Sequence, residues 1–434
     1  MRWRPSLIIA LSFLLVIITG SILLSLPISS AKGISTNYLD AYFTANSATC
    51  VTGLVVLDTG THFSLFGLFV ILCMIQIGGL GYMTFSTFLV MVFRKKMFIS
   101  DKMLIMEALN IYSSRDVVAI LRKIFGIVFV VEGIGAIILF LRWLPELGAK
   151  KALLYGVFHS VSAFNNAGFA LPANFANLSP YVTDWTINLT ITSLIIIGGI
   201  GFLVIADILQ FRRWSLHSKL AVTTTLILIV CGTIAYFFLE YNSTLASLAL
   251  PNKMLASYFQ AVTPRTAGFN TLDMGKILPA TGLIVIFLMF VGANPGGTGG
   301  GIKTTTFALV ASTIWATLRN SRDTILFNRR VPAENVRRAF AITILSLVVI
   351  SIPIFVLTRV ENFGIMPVAF ETVSAFGTVG LSMGITPMLS SVGKIIIIIV
   401  MYVGRVGPLT LLLALASSQK DSRIEPPKEG VSIG

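Results

Sequence analysis

Charge is what this sequence has least of. Asp, Glu, Lys and Arg make up only 12% of its 434 residues, about half the share in a typical water-soluble chain. Histidine and cysteine are equally sparse, at three each. Cys50, Cys73 and Cys231 have no metal-like spacing and cannot build a disulfide framework. His62, His159 and His217 lie far apart, so a zinc or haem site lacks its donors. A membrane enzyme would need a catalytic constellation, yet Asp207, Glu132 and Glu240 are scattered and none pairs with a histidine at useful spacing.

Apolar residues fill the space, at 55% of the composition. They gather in runs of about 20, the length that about 30 Å of hydrocarbon requires of a helix. The chain therefore reads as a multi-pass protein of the lipid bilayer. Its net charge of +14 invites a nucleic-acid reading, but the distribution opposes it. With the N-terminus inside, the basic residues collect on cytoplasmic stretches: Arg2 and Arg4, then 94–123, 212–219, 319–338 and 420–428. Only Lys303 and Arg405 fall within membrane-length segments. This positive-inside bias predicts a plasma-membrane protein with both termini cytoplasmic, and gives nucleic acid no role. Residues 1–32 have some features of a signal peptide, but the apolar run from Leu7 to Pro27 exceeds the usual h-region and reads as a first transmembrane helix.

An internal period organises the rest. "TCVTGL" (49–54), "FNNAGFAL" (164–171), "RTAGFN" (265–270) and "FGTVGL" (376–381) share one glycine: Gly53, Gly168, Gly268 and Gly380. The spacing is roughly 100 residues, and such a period marks repeated units. Each glycine has a Phe nine or ten residues upstream (Phe43, Phe158, Phe259, Phe370) and a long apolar run on either side. Each is followed by a second glycine-bearing stretch: "IGGLG" (77–81), "IGGIG" (197–201), "VGANPGG" (291–297) and "VGRVG" (403–407).

The expectation is an all-α integral membrane fold of four tandem helix–pore loop–helix repeats around a pseudo-fourfold central pore. It has eight transmembrane helices and four short re-entrant ones, near 36–49, 151–163, 254–263 and 366–376. The units are 1–93, 119–211, 219–315 and 337–416, with cytoplasmic linkers at 94–118, 212–218 and 316–336 and a cytoplasmic tail at 417–434. Irregular backbone at membrane depth survives only when buried in protein or lining a watery path. Four glycine turns ringing one axis would offer carbonyl oxygens backed by the negative ends of the short helices, a setting for a monovalent cation. No ring of carboxylates accompanies them, since Glu371 occurs in one unit only.

With these motifs in place, the chain resembles the Trk/Ktr/HKT superfamily of potassium-transport proteins, and within it the KtrB-type subunits with eight spans and short termini. The resemblance covers essentially the whole sequence. It implies a selectivity filter at Cys50, Val51, Thr52 and Gly53; Asn165, Asn166, Ala167 and Gly168; Arg265, Thr266, Ala267 and Gly268; and Gly377, Thr378, Val379 and Gly380. Thr49 is the other candidate for the first position. No Tyr-Gly pair follows any of the four, so fewer well-formed ion sites are expected than in a tetrameric potassium channel. Arg265 is expected to lean away from the ions.

Residues 292–306, "GANPGGTGGGIKTTT", interrupt what would be one long helix, since six glycines and a proline cannot continue it. A phosphate loop is excluded because Ile302 separates Gly301 from Lys303. In relatives the equivalent loop acts as a gate. The resemblance thus implies a gate at 292–303 comprising Gly292, Asn294, Pro295, Gly296, Gly297, Thr298, Gly299, Gly300, Gly301 and Lys303, with Arg405 from the last helix. It also implies potassium uptake through the filter carbonyls, K+ as the transported ion with Na+ dependence left open, and a homodimer. A cytosolic ring of KtrA/KtrC-like regulatory subunits would bind ATP or ADP, with no nucleotide on this chain. A coupled secondary symporter for another cation or solute remains the alternative.

Overall fold

The computed structural model describes residues 5–81, 117–209, 214–321 and 323–408. Most of the expected linker 94–118, part of the linker 212–218, Arg322, residues 409–416 of the fourth unit and the tail 417–434 lie outside the described residues.

The described chain is almost wholly helical. In order it forms α1 (Pro5–Ser25), α2 (Tyr38–Thr49), α3 (Thr59–His62), α4 (Leu65–Leu80), α5 (Val117–Phe164), α6 (Trp185–Gly199), α7 (Phe202–Leu209), α8 (Leu216–Glu240), α9 (Leu250–Val262), α10 (Pro279–Phe290), α11 (Thr304–Leu318), α12 (Ala333–Val360), α13 (Ile365–Gly377) and α14 (Ser391–Val406). One antiparallel pair, β1 (Ile325–Leu326) with β2 (Arg329–Arg330), joins α11 to α12. Several starts are set by side-chain caps. Asn37 accepts from the Leu39 amide at 2.9 Å, Asp184 from Ile187 at 2.9 Å, and Ser390 from Gly393 at 3.1 Å, each satisfying an otherwise orphan donor of the first turn. α5 is two arms meeting at Gly148, where φ is 71°.

The long apolar runs after each loop are not single helices, which departs from the reading of 64–93, 186–211 and 391–416 as continuous. α4 and α14 stop, and α6 gives way to α7, at the last glycine of the "GG-x-G" or "GRVG" stretch, where Gly81, Gly201 and Gly407 have φ of 79°, 95° and 90°. A side chain resists that conformation, so the glycine fixes the break. α6 and α7 are bent 99° apart. Among the described residues, therefore, three helices are long and apolar enough to cross a membrane (Ile124–Phe164, Leu216–Glu240, Ala333–Val360), or four if the bent pair counts as one. α4, α10 and α11 are shorter apolar helices.

Packing closes the chain on itself. α4 packs on α5, α6 on α9, α10 on α13, and α14 returns to α2. The last contact is fixed by an ion pair, Lys394 to Asp40 at 2.7 Å, and by the Asn46 amide donating to the Ile398 carbonyl at 3.2 Å. Phe43, Phe158, Phe259 and Phe370, one near each loop, are all fully buried. Each removes a large apolar surface from its surroundings and wedges a short helix against its neighbours.

Outside the membrane-length segments, half-buried His62 ends the short helix α3 and meets the Thr36 hydroxyl at 3.0 Å through Nε2. Burial holds its imidazole below the usual range; Lys32 adds to that effect and Asp40 opposes it. Between the lowered folded value and the ordinary one the unfolded chain binds more protons, so stability rises with pH through that window. Acidification below about pH 6.5 should therefore lower the thermal unfolding temperature of the purified protein, and His62→Gln should flatten this dependence.

Candidate functional site

The four glycine turns share one backbone shape. Two residues before each glycine the chain is left-handed, with φ of 57° at Val51, 58° at Asn166, 70° at Thr266 and 49° at Thr378. The glycines follow at 89°, 70°, 73° and 93° for Gly53, Gly168, Gly268 and Gly380. Non-glycine residues seldom adopt positive φ, and β-branched Val and Thr pay most for it. The strain is held by short hydrogen bonds to the preceding helix: Thr52, Ala167 and Val379 each donate from N–H to the carbonyls of Ser47, Ser162 and Ser374 at 2.8 Å, and Ala267 to Thr263 at 3.0 Å.

Buried hydroxyls finish the brace. Ser47 accepts from the Gly53 amide at 3.1 Å and Ser374 from the Gly380 amide at 3.0 Å. Ser162 donates to the Phe169 carbonyl at 2.9 Å, and Thr263 donates to Phe269. These braces escaped the sequence reading. A serine six residues before the glycine in three of the four stretches was their signal; in the other, Val262 takes that place and Thr263 supplies the hydroxyl.

The glycines themselves touch in a closed circuit. A Cβ placed on Gly53 would stand 3.0 Å from the Cα of Gly168 and run into the Ala167 carbonyl. On Gly168 it would stand 3.0 Å from Gly268 and 2.7 Å from the Ala267 oxygen. On Gly268 it would stand 3.1 Å from Gly380 and strike the Val379 oxygen, and on Gly380 2.9 Å from Gly53 and strike Thr52. The first, second, third and fourth turns are thus brought together in chain order. Around this circuit the main-chain carbonyls of Val51, Thr52, Asn166, Ala167, Thr266, Ala267, Thr378 and Val379 accept no hydrogen bond from any described residue, although all of these residues are buried.

Side chains of the turns point away from that circuit where their contacts are recorded. Arg265 donates through its guanidinium to the Thr225 carbonyl at 3.1 Å and to the Thr225 hydroxyl at 3.2 Å, so its charge is carried back toward α8. Asn166 and Thr266 bond across neighbouring turns at 3.2 Å. Cys50 faces Asn46, and Asn165 faces Gln76 and Glu132.

On one side of the circuit a cavity of about 260 Å³ is lined by Gly53, Gly168 and Gly380, with Asp58, Asp273 and Ser382 farther along its wall. Two buried groups to which the sequence reading assigned no role hold this side in shape. His159 donates from Nδ1 to Tyr155 at 2.8 Å and accepts at Nε2 from the Leu171 amide at 3.3 Å. Glu371, nine residues before Gly380 as His159 is before Gly168, accepts from Ser382 at 2.7 Å and from Thr386.

Residues 292–303 lie against the turns. α10 stops at Phe290 and α11 starts at Thr304. Gly300 donates from N–H to the Thr378 hydroxyl at 3.1 Å, the Thr298 hydroxyl donates to the Phe164 carbonyl at 3.2 Å, and a Cβ on Gly299 would run into Thr266. The segment is pinned to the break between α6 and α7: Asn294 and Thr298 donate from N–H to Gly199 at 3.1 Å and Gly198 at 3.2 Å, and Phe202 donates to Gly296 at 3.1 Å. Pro295 and Gly297 face Gly201 and Gly199, and Gly292 pairs with Ile302. Asn294 also meets Thr225 at 3.1 Å, and Lys303 donates to the Gly299 carbonyl at 2.7 Å. Gly296 and Gly301 turn the chain at φ of 71° and 65°. From α14, Arg405 bridges the segment to α4, donating to the carbonyls of Thr298 and Gly78, with Gly79 at 3.4 Å.

Comparison with known proteins places the chain among cation transporters. The TrkH family, described as a cation transport protein, matches residues 4–424. The chain is 45% identical to "Ktr system potassium uptake protein B" of Bacillus subtilis, an alignment covering 100% of this chain and 97% of that protein. It is 36% identical to "Potassium/sodium uptake protein NtpJ" of Enterococcus hirae over 100% of this chain and 98% of that one. The crystal structure of the potassium transporter TrkH from Vibrio parahaemolyticus shares the fold, with a TM-score of 0.75 at 18% identity over 93% of this chain and 84% of that one.

Crowding at the circuit makes Gly380→Ala a sharp test: a methyl group there meets a carbonyl at positive φ. The variant should lose about 2 kcal/mol or more of stability. Gly133→Ala, whose methyl would meet nothing within 4 Å, should match the parent. Denaturation of both variants in detergent, followed by size-exclusion recovery, reads the difference.

Proposed function

The chain belongs to the TrkH family of cation transport proteins, and from that premise we propose that it takes up potassium through the centre of the four glycine turns. Members of this family are ion transporters and not enzymes. The observation that carries the reading is the set of buried, unpaired carbonyls around the circuit. A buried main-chain acceptor without a partner costs about as much as a lost hydrogen bond. A dehydrated alkali cation, held by several such oxygens in place of its water, supplies the missing partner. The short helices ending at the turns add the negative ends of their dipoles.

In this reading the four units, 1–93, 119–211, 219–315 and 337–416, surround one path, with eight spans and both termini on the cytoplasmic side of the plasma membrane. Ions enter from the 260 Å³ cavity, which faces outward. The filter is formed by Cys50–Gly53, Asn165–Gly168, Arg265–Gly268 and Gly377–Gly380. The central glycines approach one another's turns closely, so the constriction is narrow; few ion sites are proposed because no Tyr-Gly pair extends any of the four stretches.

Residues 292–303 act as the gate. They cover the turns from the other side, touching Thr266, Thr378 and the Phe164 carbonyl. Arg405 latches the covered state by holding Thr298 to the end of α4, and its charge opposes cations that reach the loop. Glycines let the segment change shape without rebuilding a helix. The subunit is proposed to work as a homodimer under a cytosolic ring of nucleotide-binding regulatory subunits, with ATP or ADP bound on the ring. Na+ dependence is left open in the same reading; the Enterococcus relative is named for uptake of both potassium and sodium.

Flux into proteoliposomes tests both the pathway and the latch. The protein should carry potassium and rubidium. Movement of another solute without either ion would instead favour a coupled symporter. Arg405→Ala removes charge-assisted hydrogen bonds worth about 1.5–3 kcal/mol each and should raise flux on the order of tenfold. Unchanged flux at normal yield would count against the latch.

A further inference from the structure

Glu132 takes no part in the path or the gate described above, yet it is an acid in a membrane-length segment and only 6% exposed. Such a residue is costly and calls for a reason. It sits in the first arm of α5, and both of its oxygens are engaged. Asn165 donates from Nδ2 to Oε1 at 3.0 Å, and Gln76 donates from Nε2 to Oε2 at 3.3 Å. Asn165 Nδ2 also lies 2.9 Å from Gln76 Oε1 and 2.9 Å from the Val161 carbonyl, sharing its two protons among three acceptors. The three side chains form a closed ring in which each carboxylate oxygen faces an amide N–H, the bonding that suits an ionised carboxylate.

Among the described residues no cation closes the charge. Glu132 makes no ion pair among the described residues. On α4 its polar neighbour is the neutral Gln76; from the second arm of α5 it meets Asn165, and Ser160 donates to its main-chain carbonyl at 2.6 Å. On α6, apolar Leu194 packs against Gly135, one turn along α5 from Glu132. Arg405 reaches α4 only at the carbonyls of Gly78 and Gly79, not at the carboxylate. An ionised carboxylate left unpaired in a low-dielectric interior is strongly destabilising unless a positive charge lies near.

The group bonded to Oε1 belongs to Asn165, the first residue of the second glycine turn, whose following carbonyls are unpaired. We propose that Glu132 is the fixed counter-charge for the alkali cation in the path: it raises affinity for a monovalent cation from behind the second turn, and Gln76 and Asn165 hold it there. The inference rests on the potassium-pathway reading. It adds an electrostatic contribution from one quadrant to the carbonyl contacts of all four. Occupancy by an ion then offsets the cost of burying the acid.

The test uses full-length protein in detergent. Potassium affinity is read as thermal stabilisation on titration with KCl, with choline chloride keeping ionic strength constant, and the half-saturation of rubidium flux is read in liposomes. Glu132→Gln removes the charge and should raise the half-saturating potassium concentration on the order of tenfold, the scale of a unit charge acting at an effective dielectric constant near 20. The double variant Glu132→Gln with Gln76→Glu returns the charge to the same ring with donors and acceptors exchanged. It should recover affinity to within about threefold of the parent.

Acidification should weaken potassium binding to the parent and have less effect on Glu132→Gln. The proposal is overturned if folded Glu132→Gln binds potassium as the parent does, or if the double variant is as weak as the single one. Should Glu132→Gln fail to fold, the double variant decides alone, since loss of affinity in it would sink the idea. A parent protein that neither binds nor carries potassium would refute the pathway itself, an outcome distinct from the failure of Glu132.

Discussion

The contact between each central glycine and the carbonyl group of the next turn is the constraint on which everything else here depends. Gly53, Gly168, Gly268 and Gly380 sit so close that no side chain fits between them. That proximity forces positive φ at the glycine and two residues before it, and leaves the intervening carbonyls with no room for a protein donor. The braces from Ser47, Ser162, Thr263 and Ser374 follow from the same demand, because strained backbone persists only where its surroundings over-determine it. The buried phenylalanines then hold the short helices that carry these braces.

The second tier of the structure is the covering segment, and its stability is distributed. Its ties run to the α6–α7 break, to Phe164, to Thr378, to Thr225 and to Arg405. Each hydrogen bond contributes about 1 kcal/mol net, and more where a charge is involved. A segment held by many modest bonds can be released piecemeal, which a single hydrophobic plug cannot. The bend of 99° between α6 and α7 supplies the carbonyls of Gly198 and Gly199 that receive it, so the break between those two helices serves the segment between α10 and α11.

Periodicity made much of this legible. The glycines, the phenylalanines upstream of them, the interruption at 292–303 and the outlying Lys303 and Arg405 all stand out from apolar surroundings, because polar or flexible residues at membrane depth need a reason. The backward lean of Arg265 could be argued from charge alone, although its partner Thr225 could not. What stayed hidden depends on long-range geometry. Ser47, His159 and Glu371 look like ordinary residues of short helices until the returning chain is placed beside them. The positive φ of Gly81, Gly201 and Gly407 was missed for another reason: glycines within an apolar run read equally well as close helix packing or as a break, and only the backbone decides. The pairing of Asp40 with Lys394, 354 residues apart, carries no local signal.

That pairing has a consequence for biogenesis. α14 is the last helix described, and it lodges against α2, among the first. During synthesis the fourth wall is absent until nearly the whole polypeptide has left the ribosome, so an unfinished chain presents an open-sided groove to lipid. Closure by contacts so distant in sequence makes assembly slow to complete. On the proposed pathway, a nascent or truncated subunit would also lack the last wall of the ion route.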